Sequence, residues 1–488
     1  MIECGIGWCW FVHGWSARNT VYRSTMDHEQ PGDHAPVPSG SWPELEPTPL
    51  QLVAFWPHAD PPTAAEVLAA LTAWMDATEP VGSEMDLGEG EVNWAIECAI
   101  DGVQNPVALW CEKALEVDDA WRAMLGDAAS CPWVIRLQVQ LDGDEGPNEY
   151  FQLLNLLAGS IADAAGVLDV TTGQFVPRAE LDQEVLAADA VPIDRLMWRI
   201  VRLPGVSDKA DVPSSHVAIC TVGLGRIGRP ELELLEVPVE HALAAEMVLD
   251  TLVPLLLEDE LPLPGQPVEI GDGMVVALVP LAEADRFVEE SHAGSRAWRE
   301  RIAAIGIDHV KSPRVAVCAA SERGAFRKAW TWPLDAAQRI EEGNAVLYLA
   351  QREVDANARQ AQRTFPLFAT AFASLARADA PAWRALAQEH FMVQAPVGGT
   401  DGDDRIEQAW YRVDHLDGDG VDGLLVDRPR TRPDLEPGSH HRIDRKAVSG
   451  WSVDLPGGSF RPNDCQTLLE AIDRLRVDLP RTAPEPGP

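Results

Sequence analysis

From Trp133 to Leu141 the chain alternates: Ile135, Leu137, Val139 and Leu141 fall on one side, and Val134, Arg136, Gln138 and Gln140 on the other. Successive side chains leave an extended strand from opposite faces, so this pattern buries its apolar set as one strand of a sheet. Neighbouring segments repeat at the helical period instead. Residues 63–78 place Val67, Leu68, Leu71, Trp74 and Met75 on one helical face, with Thr63 as the N-cap. Short strands interleaved with short amphipathic helices restrict the chain to sheets with helices packed on them.

On these signals, residues 50–56, 92–100, 107–111 and 133–141 are strands, and 118–129 and 148–163 are helices. Residues 166–176 form a hairpin turning at Thr172 and Gly173. This β-α-β-β-α-β-α-β order predicts a ferredoxin-like α/β sandwich. A second module starts near Pro192, with strands at 196–203, 216–222, 232–237, 274–281 and 315–319 and helices at 239–257 and 282–305. A third has a strand at 345–349, helices at 353–376 and 381–389, and strands at 391–395, 407–413, 421–426 and 440–443. A short helix at 463–475 precedes a Pro-rich tail. The fold class expected is α+β or mixed α/β: ferredoxin-like sandwich modules followed by a helix-plus-small-β-sheet module.

The corresponding domain boundaries are 50–190, 191–322 and 343–455, with 456–488 a short helix and disordered tail. This matches the roughly 150 residues per domain that 488 residues suggest. Residues 1–49 are expected to be a disordered or mis-started segment and a linker, because 27–49 is rich in Pro, Gly, His and Ser. An abrupt change of composition at Met26 marks it as the expected start. Residues 1–25 lack the basic region and small-residue cleavage site of a signal peptide.

Charge narrows the partners. There are 77 Asp and Glu against 39 Lys and Arg, a formal net charge of −38. Such a surface repels phosphate backbones, so no nucleic acid is expected as a partner. No stretch reaches the roughly 20 apolar residues of a membrane span. Of the basic residues five are Lys, at 113, 209, 311, 328 and 446, which with abundant Ala reflects a high-GC coding bias of bacterial type. Cys4, Cys9, Cys98, Cys111, Cys131, Cys220, Cys318 and Cys465 are scattered without a Cys-x-x-Cys pair, the usage of free thiols in a reducing, cytoplasmic compartment.

In the third module, residues 348–365 (Tyr-Leu-Ala-Gln-Arg-Glu-Val-Asp onward), Glu407 to Val413, Gly418 to Val426, Leu435 to Ser439 and Val448 to Trp451 together resemble the bacterial family catalogued as domain of unknown function 2314. The second module, through Gly223-Leu-Gly-Arg-Ile-Gly-Arg-Pro-Glu-Leu-Glu-Leu-Leu, is similar to family 4026, which is often found upstream of the first. The two resemblances cover about four fifths of the chain and imply no catalytic residues. The strand before Gly223 reads Ala-Ile-Cys-Thr-Val where that resemblance leads one to expect a histidine.

Gly223, Gly225 and Gly228 spell the dinucleotide-binding fingerprint, whose glycines let the backbone approach a pyrophosphate at a helix N-terminus. After Gly228, however, Glu231 and Glu233 alternate with Leu232 and Leu234, a strand signature where a helix is required. A glycine-rich turn between paired strands is the expectation, and no cofactor. Asp417, Asp419 and Asp422 hint at calcium, but a hairpin turn accounts for them better, since an EF-hand count from Asp417 puts Asp422 at the glycine position. Cys4, Cys9 and His13 lack a nearby fourth ligand, and His440 and His441 point to opposite faces of a strand, so no metal is expected. Trp42, Trp56, Trp74, Trp94, Trp110, Trp121, Trp133 and Trp198 read as core, any left exposed being interaction hot spots. The functional expectation is a non-enzymatic protein-binding or accessory protein, immunity-like in type, that holds a basic protein partner. The alternatives are an enzyme whose residues assemble from distant segments, and a nucleotide-binding protein using Gly223 to Gly228.

Overall fold

The computed structural model describes residues 20–22, 42, 45–72, 92–143, 145–187, 190, 192, 194–204, 215–290, 292–304, 313–320, 330–342, 347–376, 381–398, 406–455, 458–462 and 465–478. It forms two compact units, Pro31–Glu341 and Glu342–Pro488, the second also including Met1–Gln30. Strand β1 (Thr20–Tyr22) belongs to that second unit, although it lies in the segment expected to be disordered or mis-started. Met26 lies outside the described residues.

The first sheet of Pro31–Glu341 contains β2 (Leu50–Trp56), β3 (Val92–Cys98), β4 (Val107–Lys113), β5 (Trp133–Val139), β6 (Gly166–Asp169) and β7 (Gln174–Pro177). Helices α1 (Ala64–Thr72), α2 (Asp119–Leu125) and α3 (Gly146–Ser160) lie between them, and α4 (Arg178–Glu180) follows β7. Thr63 caps α1 as expected: its Oγ1 accepts from the Glu66 amide at 3.2 Å, and Glu66 Oε2 accepts from the Thr63 amide at 2.8 Å, a reciprocal capping box. In β5 the side of Ile135, Leu137 and Val139 is buried. Val134 on the other side is buried too, in a second cluster with Phe55, Leu125 and Cys131.

The strand order is β3-β4-β5-β2-β6-β7, antiparallel throughout. The expected α+β class is what this unit has. Its strand order departs from the split βαβ pattern in one respect: β5 lies between β4 and β2, so the first strand of the module does not neighbour the third. The Leu50-to-Trp56 run pairs residue for residue with β5, from Leu50 opposite Val139 to Trp56 opposite Trp133.

The second sheet holds β8 (Arg199–Pro204), β9 (His216–Val222), β10 (Glu231–Pro238), β11 (Pro267–Gly271), β12 (Met274–Pro280) and β13 (Arg314–Ala319), in the order β11-β12-β13-β10-β9-β8. It is mixed, because β10 runs parallel to β13. Helix α5 (Ala242–Glu258) is buried along Ala244, Ala245, Val248, Leu249, Leu252 and Val253. The helix expected over 282–305 is broken into α6 (Leu281–Ala284) and α7 (Arg296–Ala304). The turn that precedes α7 packs against the end of β10. Gly294 sits at φ +85 against Leu235, the Ala293 carbonyl accepts from the Glu236 amide at 3.0 Å, and Ser295 Oγ accepts from the Trp298 amide at 3.1 Å and restarts the helix. Helix α8 (Leu334–Glu341) completes the unit.

In the second unit, β14 (Tyr348–Leu349), α9 (Gln351–Ala376), α10 (Pro381–His390), β15 (Phe391–Gly398), β16 (Ile406–Leu416), β17 (Gly420–Leu425), β18 (His440–Asp444), β19 (Gly450–Leu455), β20 (Gly458–Phe460) and α11 (Cys465–Asp478) form one sheet with helices. Its main path is β14-β1-β16-β15-β19-β20, and β17 links β16 to β18. The core gathers Phe365, Phe368 and Phe372 of α9 against Phe391 and Trp451. The Trp451 indole N–H donates to Thr364 Oγ1 at 3.0 Å, which satisfies the polar edge of a buried ring.

Candidate functional site

Gly223 to Gly228 is a short 3-10 turn joining the antiparallel strands β9 and β10. Gly223 has φ +124, and a Cβ there would lie 2.4 Å from the Met197 carbonyl oxygen, so the position admits glycine alone. The amides of Gly223 and Gly225 donate to one carboxylate oxygen of Glu231 at 2.8 and 3.1 Å, and Thr221 Oγ1 donates to the other at 2.8 Å. The backbone donors that a pyrophosphate would take are thus engaged by a carboxylate of the chain itself. One step along β10, Glu233 lies 3.6 Å from Arg299 and 3.5 Å from Arg314. The alternation of Glu with Leu that marked the strand separates two buried faces, since Glu231 and Glu233 are as buried as Leu232 and Leu234.

The same turn buries Arg226 completely. Its Nη1 donates to Asp169 Oδ2 at 2.6 Å, its Nε to the Gly223 carbonyl at 3.1 Å and its Nη2 to the Met197 carbonyl. The guanidinium also stands 5.0 Å from the centre of the Tyr150 ring. Asp169 further accepts from the Tyr150 hydroxyl at 3.0 Å and from the amides of Thr171 and Thr172. Burial works most strongly against the Arg226 charge, but Asp169, Tyr150 and Glu231 together outweigh it and hold the guanidinium above its ordinary range. Burial, followed by Asp169, pushes the Tyr150 hydroxyl well up. Tyr150 and Asp169 come from α3 and the end of β6, Arg226 from the second sheet, so this ion pair ties the two sheets together.

A different group of polar residues meets at the other end of β9 and β10, half-exposed to solvent. The His216 and His292 rings stack with centroids 4.2 Å apart. Glu236 bonds His292 Nδ1, Glu289 lies 3.5 Å from His292 Nε2, and Ser215 Oγ is 2.9 Å from His216 Nδ1. Glu236 occupies a bulge in the β9–β10 ladder at φ +55, the one non-glycine residue with positive φ among the described residues. Burial, then the neighbouring His292, lowers the His216 pKa against the opposing pull of Glu236, Glu240 and Glu289. The lowered pKa leaves the His216 imidazole uncharged at neutral pH, beside carboxylates and a hydroxyl. These residues come from positions 215, 236 and 292, so no local motif announces them; a histidine opening a strand was the one trace.

The other sequence candidates settle into structural roles. Asp417 Oδ1 accepts from the amides of Asp419 and Gly420 at 2.9 and 3.0 Å and from Arg442 at 2.6 Å, which makes the Asp-rich segment a turn closed by an arginine. The Arg442 hydrogen bond and those amides hold Asp417 down to about 2. His440 and His441 sit on β18 in alternation; His441 contacts Ser439 Oγ at 2.7 Å and packs edge-on to Tyr411. Cys4, Cys9, His13 and Trp74 lie outside the described residues. Cys98, Cys111, Cys131, Cys220 and Cys318 are free and buried. Burial pushes Cys98 and Cys111 to about 11 and Cys220 and Cys318 to about 12. Trp198 is buried, whereas Trp121 is 39% exposed.

Fold and site together define an α+β protein of three sheets, with an internally satisfied glycine turn and a half-exposed histidine–carboxylate cluster. No helix among the described residues is long and apolar enough to cross a membrane. No family model, curated protein or solved structure matches the chain.

Proposed function

We propose that this chain is a non-enzymatic, cytoplasmic protein-binding or accessory protein, immunity-like in type, that holds a basic protein partner through its acidic surface. Charge carries the reading: 77 acidic against 39 basic residues. Arg136, Arg202, Arg226, Arg428, Arg432 and Arg442 all pair with carboxylates of the same chain. Each pair removes one charge of either sign, so the whole excess of 38 remains for the other groups. Complementary charge of this kind sets partner choice and speeds encounter. The resemblance to families 2314 and 4026 belongs to the same proposal, and the buried thiols suit a reducing compartment. The test is affinity capture from a cell extract at low and high salt. The expected result is a basic protein held at low salt and released at high salt; capture of acidic or neutral proteins alone, insensitive to salt, overturns the reading.

A second reading has one observation in its favour. The adjacent Ser215 and His216 meet His292 and Glu236 from distant segments, as the residues of an enzyme do. A fluorophosphonate probe decides this: labelling of Ser215 that is lost in His216→Asn supports an enzyme, and an unlabelled Ser215 counts against it.

A further inference from the structure

We infer that the basic partner docks on the face formed by His216, Glu236, Val239, Glu240, Leu243 and Glu289, through a segment that joins Lys or Arg side chains to an apolar anchor. The inference rests on the acidic-surface reading above and assigns it a place. Val239 and Leu243 are each 50% exposed. They stand four residues apart where a 3-10 turn leads into α5, so they lie on one side of the chain as it enters the helix. Most of α5 is buried, which makes two half-exposed aliphatic side chains at its start unlike the rest of the helix. Phe287, two residues before Glu289, is also exposed.

Carboxylates flank the histidine that lies next to this apolar pair. Glu236 of β10, Glu240 of the 3-10 turn and Glu289 all act on His216, and Glu236 and Glu289 also contact His292. The nearest acid along α5, Glu246, is already paired with Arg202, and His241 is paired with Glu341. The Val239 amide donates to the Ser215 carbonyl at 3.0 Å, which fixes the apolar pair beside the start of β9 and its histidine. An apolar centre with an acidic rim is the surface that accepts a basic, amphipathic segment. A neutral or acidic segment would bury Glu240 without a basic partner, and Glu236 and Glu289 with His292 alone.

The stacked imidazoles add a control. Protonation of His216 places positive charge among the same carboxylates and reduces the attraction for a basic segment. The groups facing the stack are Ser215 before β9, Glu236 from β10, Glu240 from the following turn and Glu289.

Two fluorescein-labelled synthetic peptides of equal length and charge test the assignment on the full chain by fluorescence anisotropy. One alternates Lys with Leu at helical spacing and the other carries Ser in place of Leu. Glu240→Lys and Glu289→Lys should each weaken binding of both peptides about five- to ten-fold, the effect of reversing one rim charge. Leu243→Ser should weaken the Leu peptide alone, and Glu116→Lys on α2's approach should change neither by more than about two-fold. Moving from about pH 7.5 to about pH 5.5 should weaken binding in the wild type and much less in a His216→Asn, His292→Asn double variant. Circular dichroism of each variant confirms folding. Salt-sensitive binding that these variants leave unchanged, or that Glu116→Lys weakens equally, overturns the docking face and leaves the acidic-surface reading standing. Absence of salt-sensitive binding in the wild type overturns both.

Discussion

Replacing Arg226 with methionine isolates the contribution of the ion pair that joins the two sheets of Pro31–Glu341. The pair is fully enclosed, at 0% and 3% side-chain exposure for Arg226 and Asp169. Desolvating both charges is costly, so the intact pair stabilises little over an apolar replacement of the same shape. Removing one partner is different, because it strands the other charge in a medium of low polarity. Methionine keeps most of the volume and removes the positive charge. Asp169 then keeps the Tyr150 hydroxyl and the Thr171 and Thr172 amides but loses its cation, and the carbonyls of Met197 and Gly223 lose a donor. Breaking a buried pair in this way costs about 3–5 kcal/mol. With a urea dependence of about 2–3 kcal/mol per molar, the midpoint falls by roughly 1–2 M.

The double variant Arg226→Met, Asp169→Asn supplies the control. Once neither charge is present, the desolvation term disappears, and the double variant should be destabilised by about 2–3 kcal/mol less than the sum of the two single variants. Urea unfolding followed by tryptophan fluorescence and circular dichroism measures all four corners of the cycle. In the single variants the two probes should separate, because the contact that joins the sheets is weakened first. A loss below about 1 kcal/mol in Arg226→Met, or additive single variants, would show that the cluster does not hold the sheets together and that the reasoning is wrong.

Other perturbations have equally definite outcomes. Glu231→Ala leaves the Gly223 and Gly225 amides and the Thr221 hydroxyl without an acceptor, at a cost of about 3–5 kcal/mol in urea unfolding, and formate or acetate should recover part of it; no loss of stability refutes the role given to Glu231. His216 has a lowered pKa in the folded state, so the unfolded chain binds its proton more readily, and the stabilisation present above about pH 6.5 declines as pH falls through the folded value. His216→Asn should flatten that part of the stability-against-pH curve, and an unchanged slope argues against it. Asp417 should titrate near 2 by NMR and move up toward the ordinary carboxylate range in Arg442→Gln, while added calcium leaves the resonances of the turn in place. Cys98, Cys111, Cys220 and Cys318 should react slowly with a thiol reagent at about pH 8 until urea unfolds the chain; rapid labelling of the native protein would contradict their burial.

Local patterning made most of the elements legible. The β5 alternation, the Thr63 cap, the Thr172-Gly173 turn and the strand over 216–222 are all where residue order placed them, because each is decided by neighbours within one or two turns of chain. Strands β11, β19 and β20 were not legible, being short segments that gain order from a partner strand. The break between α6 and α7 was hidden for a related reason: an amphipathic pattern continues across it, and the turn before α7 is held by Glu236, far away in sequence. The order of strands in the first sheet was also beyond reach, since inserting β5 between β4 and β2 leaves every local pattern unchanged.

The site was the least legible part, and the glycine turn shows why. Gly223, Gly225 and Gly228 have the spacing of a phosphate loop because both structures need backbone amides exposed at a tight turn. What differs is the acceptor. In a nucleotide site it arrives from solution, whereas here Glu231 supplies it from six residues beyond Gly225, and a glutamate in that position reads as the polar side of an amphipathic strand. The same inversion applies to Glu233 and Arg226: charged residues in a very acidic chain are assigned to the surface by default, yet both lie inside, Glu233 near Arg299 and Arg314 and Arg226 on Asp169. The charges left outside are therefore a selected set. At the start of β9 and α5 that set includes Glu236, Glu240 and Glu289 around two imidazoles and beside two exposed aliphatic side chains. An acidic composition alone names no location, but an acidic rim around an apolar centre does, and it makes the histidine face the place where a basic partner should be sought first.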